Sequence, residues 1–381
     1  MLKACPESHP QSAAGPEEIA RFRLTRHHLA ESKPADAVTV ARDVCGMQAQ
    51  FMSAAFLQFW TRNHGIAQNA IERALWQERS LVRTSLMRQT LHLVPADQFS
   101  VYIAALRSSR VRAVLRIMAR FRISRDEAED LTGLILEALS SGPSSRVAIQ
   151  AAVRPKVSKR VRAWMDKVWS IVRIPIAEGL ICYSPSEGNE ATFIRVDQWL
   201  GKQAPVAEQP ARMELLRSYL RAYGPATLSD FAHWSGMSAG EVRTLPRLLA
   251  ADLEEVETEK RVSLVLCRDV DLLQARHNNK GTDSIRLLPH FDPYLLAHRG
   301  KDHLVDSRHY KRVYRNQGWI SPVLLINGRV AGVWTHKRQA TNLTITIEPF
   351  GKLSPMVRRA IAREAEDLSR FFACNLELLI R

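Results

Sequence analysis

Apolar residues in the first hundred positions recur at helical spacing, and a short alternating segment follows them. Residues 17–30, 41–60 and 67–77 carry apolar side chains three or four positions apart, which predicts three helices. Residues 90–95 alternate and end at Pro95, which predicts a short strand. Three helices followed by a strand or hairpin is the order of a winged-helix module.

The same order occurs twice more along the chain. In the second copy, the predicted helices cover 131–139, 146–152 and 161–176, and the predicted hairpin pairs 179–183 with 191–196 around a turn at 184–189. In the third copy, after a proline-bearing linker at 203–210, the predicted helices cover 213–223, 228–234 and 238–249, and the predicted hairpin lies within 253–266 with its turn at Glu259-Lys260.

The C-terminal part has a different pattern. Strands are predicted at 284–289, 322–327, 329–335 and 343–347, and an amphipathic helix is predicted at 355–372. Asn327-Gly328 is the strongest hairpin turn in the chain. The predicted fold is therefore α+β, with three tandem winged-helix modules and a C-terminal α+β lobe. The predicted boundaries are a flexible tail at 1–16, modules at 17–125, 126–202 and 203–283, and the lobe at 284–381.

Positive charge is both abundant and clustered. The formal net charge is +15 and the isoelectric point is about 10.0. Residues 107–173 hold fifteen Lys and Arg against six Asp and Glu, a local net of +9; residues 299–338 hold nine against two, a local net of +7. A generally basic, arginine-rich proteome would spread the surplus more evenly, so the pattern favours a polyanionic partner such as nucleic acid.

Several classes of function are disfavoured. No glycine-rich phosphate loop, His-Glu-x-x-His or Gly-x-Ser-x-Gly motif occurs. The five cysteines are far apart and include no Cys-x-x-Cys pair, which argues against a zinc site and a disulfide framework. Residues 1–16 lack an apolar signal core, and no run of eighteen apolar residues suggests a membrane span. We therefore expect a cytoplasmic protein with no membrane association, metal or cofactor.

Two glutamines interrupt the apolar pattern of the first module. They stand in the run Gly46-Met47-Gln48-Ala49-Gln50-Phe51. In a regular helix, positions two apart are rotated by about 200°, so the two amides would converge only if Gly46 loosened the turn. The alternative is that they bond to neighbouring backbone and stabilise the start of a helix.

This run resembles the signature of the AlkZ/YcaQ family of winged-helix DNA glycosylases, in which a glutamine is followed by a small or apolar residue and then by glutamine or aspartate. Further segments resemble family blocks in the same order: Ala74-Leu75-Trp76, residues 80–84, 86–94, 287–296, 318–323 and 327–334. The resemblance extends from about Phe22 to the C-terminus.

The resemblance implies three winged helices that form a concave DNA-binding surface, and a β-rich lobe whose hairpin reaches DNA. It also assigns catalysis to the two polar motif positions, here Gln48 and Gln50. With glutamine in the second position, the motif resembles the AlkZ-like branch, whose members unhook bulky adducts and interstrand crosslinks; the branch with aspartate there is the near alternative.

The motif chemistry limits the substrate. N-glycosidic cleavage passes through an oxocarbenium-like sugar, which neutral amides cannot stabilise with a full charge. Such a site needs an activated leaving group, and a purine alkylated at N7 or N3 is cationic and leaves as a neutral base. The expected function is a monofunctional DNA glycosylase, since no lysine in the motif suggests lyase chemistry.

The expected partner is double-stranded DNA with alkylated bases, bound by a monomer. Candidate DNA-binding residues are Arg83, Arg88, His92, Arg110, Arg112, Lys159, Arg160, Arg162, Arg315, Lys337 and Arg338. For each, a solvated surface charge is the alternative, and for His92 a structural hydrogen bond. The rival function is a non-catalytic winged-helix regulator, because fold alone does not fix function.

Overall fold

The computed structural model describes residues 13–31, 34–168, 170–188, 190–258, 261–275 and 284–381. The fold is mixed α+β, and it divides into two compact units. The first contains residues 1–71, 216–234 and 239–381, and the second contains residues 72–215 and 235–238. Most of the expected tail, the Glu259-Lys260 turn, Asn189 and the end of the third predicted module lie outside the described residues.

The helices and strands of the described residues are numbered in chain order. The α-helices are α1 (Pro16–Arg26), α2 (Ala37–Asp43), α3 (Met52–Trp60), α4 (Gln68–Trp76), α5 (Phe99–Ala119), α6 (Arg125–Ala138), α7 (Arg146–Val153), α8 (Lys159–Met165), α9 (Arg173–Ala177), α10 (Val196–Trp199), α11 (Glu208–Tyr223), α12 (Leu228–Ser235), α13 (Ala239–Val242), α14 (Leu245–Leu248), α15 (Val270–Gln274), α16 (Pro293–Leu296), α17 (Tyr310–Val313) and α18 (Pro355–Phe372). The β-strands are β1 (Met47–Gln48), β2 (Leu81–Ser85), β3 (Leu91–Pro95), β4 (Ser144–Ser145), β5 (Ile181–Glu187), β6 (Glu190–Arg195), β7 (Leu253–Thr258), β8 (Arg261–Leu266), β9 (Ile285–Leu288), β10 (Val323–Ile326), β11 (Arg329–Gln339), β12 (Asn342–Pro349) and β13 (Asn375–Ile380).

A five-stranded sheet organises the first unit. Its order is β13-β12-β11-β10-β9, and its pairs are antiparallel except for the parallel pair β12–β13. The apolar face of α18 packs on this sheet through Ile361 and Leu368, in a core that also takes in Leu57 and Trp60 of α3. Since α3 directly follows the glutamine motif, the sheet core supports the chain beside that motif.

The C-terminal lobe largely follows the sequence pattern. The helix predicted over 355–372 is α18, and the four predicted strands are β9 to β12. β11 continues four residues beyond the predicted end, and β13 was not predicted. The outer part of the β11–β12 hairpin, from Thr335 to Asn342, is exposed along its whole length.

The second unit contains the helices and hairpin predicted for residues 126–202. Its core joins Ile135 of α6, Trp164 of α8 and Phe193 of β6. The helix predicted over 161–176 is interrupted, because α8 ends at Met165 and α9 begins only at Arg173. The long helix α5 was not predicted.

Residues 208–266 repeat this order, with α11 and α12 followed by two short helices and the β7–β8 hairpin. The single helix predicted over 238–249 is split into α13 and α14, with Pro246 in the first turn of α14.

Two smaller findings differ from expectation or add to it. Ala14, within the expected flexible tail, is buried, and its amide donates to the carbonyl of Glu257 at 3.1 Å. Within the part of the chain that the structure describes, every helix is too short or too polar to cross a membrane.

The Asn327-Gly328 turn is confirmed. Both residues have positive φ, 48° and 81°, and the flanking Ile326 and Arg329 pair directly. A Cβ on Gly328 would lie 2.8 Å from the Tyr294 hydroxyl oxygen and 3.0 Å from the Ala20 Cβ. The turn therefore requires glycine for both its backbone angle and its packing.

We expect Gly328→Ala to lower the free energy of unfolding by about 2 kcal/mol, because it combines an unfavourable φ with overpacking. Gly351→Ala is the matched control, since a Cβ there meets no atom within 4 Å. Denaturant melts of the two variants make the comparison, and equal stabilities would show that the turn tolerates a side chain.

Candidate active site

The glutamine motif lies between two helices, and its first glutamine is part of a short strand. Cys45 and Gly46 have φ values of 59° and 93°, in the left-handed region, and α2 has already ended at Asp43. Met47 and Gln48 then form β1, and α3 begins at Met52. The continuous helix predicted over 41–60 is therefore wrong, because the two left-handed residues break it. The helical spacing that would turn the two amides apart is therefore absent, since β1 ends at Gln48 and Gln50 lies in a bend.

The two glutamines differ in exposure. The Gln48 side chain is 6% exposed, whereas Gln50 is exposed to solvent. The preceding end of α2 is held by Tyr223, whose hydroxyl donates to the Val44 carbonyl at 2.7 Å. The motif thus offers one buried and one solvent-facing amide on a backbone anchored at its start.

A third glutamine holds the motif from behind. Gln58, on α3, is fully buried, and its Nε2 donates to the backbone carbonyl of Gln48 at 3.0 Å. The same nitrogen lies 3.4 Å from the carbonyls of His290 and Phe291. One side-chain amide therefore ties the motif to the segment that follows β9.

A buried ion pair fixes that segment. Both side chains of Arg62 and Asp292 are fully buried, and the guanidinium donates to the two carboxylate oxygens at 2.8 Å each. Arg62 also donates to the carbonyl of Gln58 at 3.0 Å, while Asp292 accepts from the amide of Tyr294 and caps α16. This bidentate geometry is the strong form of an arginine–carboxylate contact.

His27 completes the network without adding charge. Its Nδ1 lies 3.3 Å from the second guanidinium nitrogen of Arg62. Burial, together with the positive charge of Arg62, holds the pKa of His27 well below its ordinary value. The imidazole is therefore neutral, and its Nδ1 accepts from Arg62.

Three aromatic rings lie beside the motif. Phe51, the residue after Gln50, stacks on Phe291 and on Trp319, with centroid distances of 5.9 and 5.4 Å. Phe291 has a φ of 58°, a left-handed angle that costs a bulky residue roughly 1–2 kcal/mol. The contacts of Gln58 and Asp292 on either side of it hold that conformation.

The sequence did not identify these supporting residues. Gln58, Arg62 and Asp292 carry no local signal of their role, because the contacts that join α3 and Arg62 to residues 290–292 span more than two hundred positions. Two signals were available: Phe51 adjoins the motif, and Asp292 and Trp319 lie within segments that resemble family blocks.

The candidates of the first predicted module are less exposed than expected. The Arg83 guanidinium lies 5.0 Å from the ring centroid of Tyr183, and burial lowers its pKa. Arg88 is half-buried and has a φ of 52°. His92 is 2% exposed, and its Nδ1 donates to the carbonyl of Thr90 at 2.9 Å. Burial, with a smaller effect of Arg88, lowers the pKa of His92 to about 3, so it is neutral at physiological pH.

Arg110 is wrongly predicted as a phosphate contact. Its side chain is 6% exposed, and its guanidinium donates to the carbonyls of Ile176 and Ala177 at 3.3 and 3.4 Å. Burial lowers its pKa to about 9. Arg110 therefore joins α5 to α9 within the fold.

The remaining cationic candidates are exposed. Arg112 borders a groove of about 990 Å³ beside α5. Lys159, Arg160 and Arg162 lie on α8, where Arg160 pairs with Glu127 at 3.5 Å.

In the first unit, Arg315, Lys337 and Arg338 are also exposed. Lys337 and Arg338 lie on the outer part of the β11–β12 hairpin, opposite Thr344 and Leu343. The Arg338 guanidinium lies 5.7 Å from the ring centroid of Phe372. Among the residues that the structure describes, no group of three or more His, Cys, Asp or Glu is arranged to hold a metal ion.

The class of protein follows from a family that matches most of the chain. The AlkZ-like DNA glycosylase family matches residues 41–371, and the chain belongs to this family. It is therefore a DNA glycosylase, an enzyme that acts on N-glycosyl bonds. This finding contradicts the alternative interpretation of the chain as a non-catalytic regulator.

Two comparisons make this more specific. The chain is 28% identical over 363 residues to an interstrand DNA cross-link repair glycosylase of Streptomyces sahachiroi, covering 93% of this chain and 95% of that protein. The structure is similar to that of the Streptomyces sahachiroi DNA glycosylase AlkZ, with a TM-score of 0.85 and 26% identity, covering 97% of this chain and all of that one.

We expect Asp292→Asn to lower the free energy of unfolding by about 3 kcal/mol or more, since it leaves the buried Arg62 charge without its counter-charge. Excision activity should fall as well, because the segment that holds Gln48 and Phe291 loses its anchor. Thermal melts and activity below the melting temperature measure both effects. Asp166→Asn is the matched control, an exposed carboxylate paired with Arg154, and it should change little. Equal melting temperatures for the two variants would contradict the anchoring role.

We expect His92 to destabilise the fold progressively at acidic pH. The unfolded imidazole binds a proton below its ordinary pKa of about 6.5, whereas the folded one does so only near pH 3. Stability is therefore lost as pH falls through this window, by roughly 2 kcal/mol between pH 6.5 and pH 5. Urea melts of the wild type and His92→Gln across this range should diverge by that amount. If the free energies of unfolding of the two proteins instead change equally with pH, folded His92 takes up a proton as readily as the unfolded residue does.

Proposed function

We propose that the chain is a monofunctional glycosylase that hydrolyses the N-glycosidic bond of cationic N7- or N3-alkylated purines in double-stranded DNA and leaves an abasic site. The observation that carries the proposal is the Gln48-Ala49-Gln50 motif between α2 and α3, where both potential catalytic groups are neutral amides.

The motif composition supports this substrate class. A glutamine side chain donates and accepts hydrogen bonds but carries no charge, so Gln48 and Gln50 can orient a water molecule but cannot supply a counter-ion or a strong acid. A normal purine needs protonation before it leaves, whereas an N7- or N3-alkylated purine already carries the positive charge. Enzyme assistance is then needed mainly at the sugar, where water attacks.

The local geometry supports a division of roles between the two amides. Gln48 is buried on a backbone whose carbonyl is held by Gln58, so its position is fixed in advance of binding. Gln50 is exposed at the surface and can approach the substrate. We assign the positioning of the attacking water to the pair, with the buried Gln48 as the fixed member and the exposed Gln50 as the member that meets the substrate.

We assign DNA binding to exposed cations. They lie on three tandem winged-helix modules that present a concave surface, and on the lobe at 284–381. The proposed bounds of the modules are 17–125, 126–202 and 203–283. The proposed phosphate contacts are Arg112, Lys159, Arg160 and Arg162 on the modules, and Arg315, Lys337 and Arg338 on the lobe. Arg83 and Arg88, which are half-buried, and the neutral His92 are proposed to shape the binding surface rather than to neutralise phosphate.

The named activity of the Streptomyces relative extends the proposal to larger lesions. Because that protein is described as an interstrand cross-link repair glycosylase, we propose that this chain also releases bulky adducts and unhooks crosslinks whose bond to the purine creates the same cationic leaving group. It would do so as a monomer, on chromosomal DNA in the cytoplasm.

The decisive assay uses a duplex with a single N7-methylguanine, followed by hot alkali to cut abasic sites. We expect excision above spontaneous depurination by the wild type and a loss of at least about 100-fold in Gln48→Ala with Gln50→Ala, in line with the contribution of a positioned proton-transfer or water-orienting group.

Gln77→Ala removes an exposed glutamine after α4 and serves as the matched control. If the double variant still excises the base at the wild-type rate, Gln48 and Gln50 are not catalytic. Absence of excision by the wild type on this duplex and on bulky-adduct duplexes, with salt-sensitive binding intact, would contradict the proposed substrate class.

A further inference from the structure

The aromatic platform, defined as Phe51, Phe291 and Trp319, begins at the residue after the proposed catalytic glutamine. Phe51 is nearly parallel to both partners, with interplanar angles of 21° to Phe291 and 27° to Trp319. Phe291 and Trp319 are themselves 5.4 Å apart. Three rings from distant parts of the chain thus form one continuous aromatic surface.

Trp319 is presented by a short, well-bonded loop. The Arg315 amide donates to the Trp319 carbonyl at 2.8 Å, and the Trp319 amide donates to the Asn316 carbonyl at 3.3 Å. Gln317 and Gly318 turn the chain with φ values of 58° and 77°. The loop therefore fixes the indole and places the exposed Arg315, a proposed phosphate contact, four residues away.

The platform is open to solvent. Phe51 is 44% exposed and Trp319 is 42% exposed, while Phe291 beneath them is 9% exposed. Covering Phe291 explains part of this arrangement, but it does not explain why two large rings keep so much surface in water beside an active-site motif. Adjacent exposed aromatic rings near a catalytic site are typical of a surface that binds a planar ligand.

We propose that Phe51 and Trp319 form the surface on which the cationic alkylated purine stacks, and that they select it by its positive charge. This inference rests on the proposed function and adds the residues that determine its specificity. The face of an aromatic ring carries negative potential, so a positively charged purine stacks on it more strongly than a neutral one. Phe51 directly follows Gln50, with Cα atoms about 3.8 Å apart, so the platform begins beside the proposed catalytic motif.

The charge dependence has a consequence for turnover. Before cleavage the purine is cationic and gains both stacking and cation–π attraction; after cleavage the base is neutral and keeps only the stacking. The platform therefore binds the substrate base more tightly than the released product, and it discriminates alkylated from normal purines without a charged residue in the motif.

The test measures binding separately from cleavage. The probe is a duplex with one 2′-fluoro-N7-methyldeoxyguanosine, in which the fluorine slows loss of the cationic base, compared with the same duplex containing guanine. We expect the wild type to prefer the cationic duplex and the variant Phe51→Leu with Trp319→Leu to lose about 10-fold or more of that preference, with unchanged affinity for the guanine duplex.

Three further variants make the result specific. Trp319→Phe keeps an aromatic face and should retain most of the preference. Tyr310→Leu removes a comparably exposed ring, 43% exposed, elsewhere in the first unit and should retain all of it. Circular dichroism melts verify that each variant is folded.

The outcomes separate this inference from the proposed function. An equal preference in the wild type and the double leucine variant, or no preference in the wild type, would overturn the platform. If the wild type prefers the cationic duplex through the platform but excises no base, the stacking role of the platform is supported and the proposed catalytic function is contradicted.

Discussion

The Arg62–Asp292 ion pair is the contact on which the candidate site depends. It joins the end of the motif-bearing segment to residues more than two hundred positions later, and both partners are removed from water. Burying two charges is costly, and the cost is offset here by bidentate geometry and by further bonds to the Gln58 carbonyl and the Tyr294 amide. A hydrophobic pair could fill the same volume, but it could not bond to the backbone carbonyl of Gln58. The pair therefore contributes specificity of position, which a site made of neutral amides needs.

The proposed chemistry matches the way this site is built. Motif residues without charge are effective only when their positions are set in advance, because weak polar groups act through orientation. Gln58 fixes the backbone of Gln48, the ion pair fixes Gln58, and the core beneath the five-stranded sheet fixes α3. The cationic purine would bring the charge that the motif lacks, and the aromatic platform would attract it. The proposed roles of the neutral motif and of the aromatic platform thus both follow from the positive charge of the alkylated purine.

Sequence patterning predicted the helix and most of the strands of residues 284–381 well, for physical reasons. The amphipathic repeat of α18 and the Asn327-Gly328 turn are local signals, and both hold in the structure. The chain around the motif was misread, since apolar spacing continues through residues 45 and 46 although their backbone is left-handed. Burial of Arg110 was equally hidden, because a cation that bonds to distant carbonyls has the same local pattern as one on the surface.

The exposed outer part of the β11–β12 hairpin has an evolutionary consequence. From Thr335 to Asn342 its side chains stand outside the core, while Leu343 beyond it is fully buried. Substitutions in this stretch are therefore nearly free of constraint from folding, and so are small changes in its length. The reach and charge of this projection can therefore change while the buried network under the motif stays the same. The hairpin is where divergence between relatives of similar fold can accumulate at the least cost to stability.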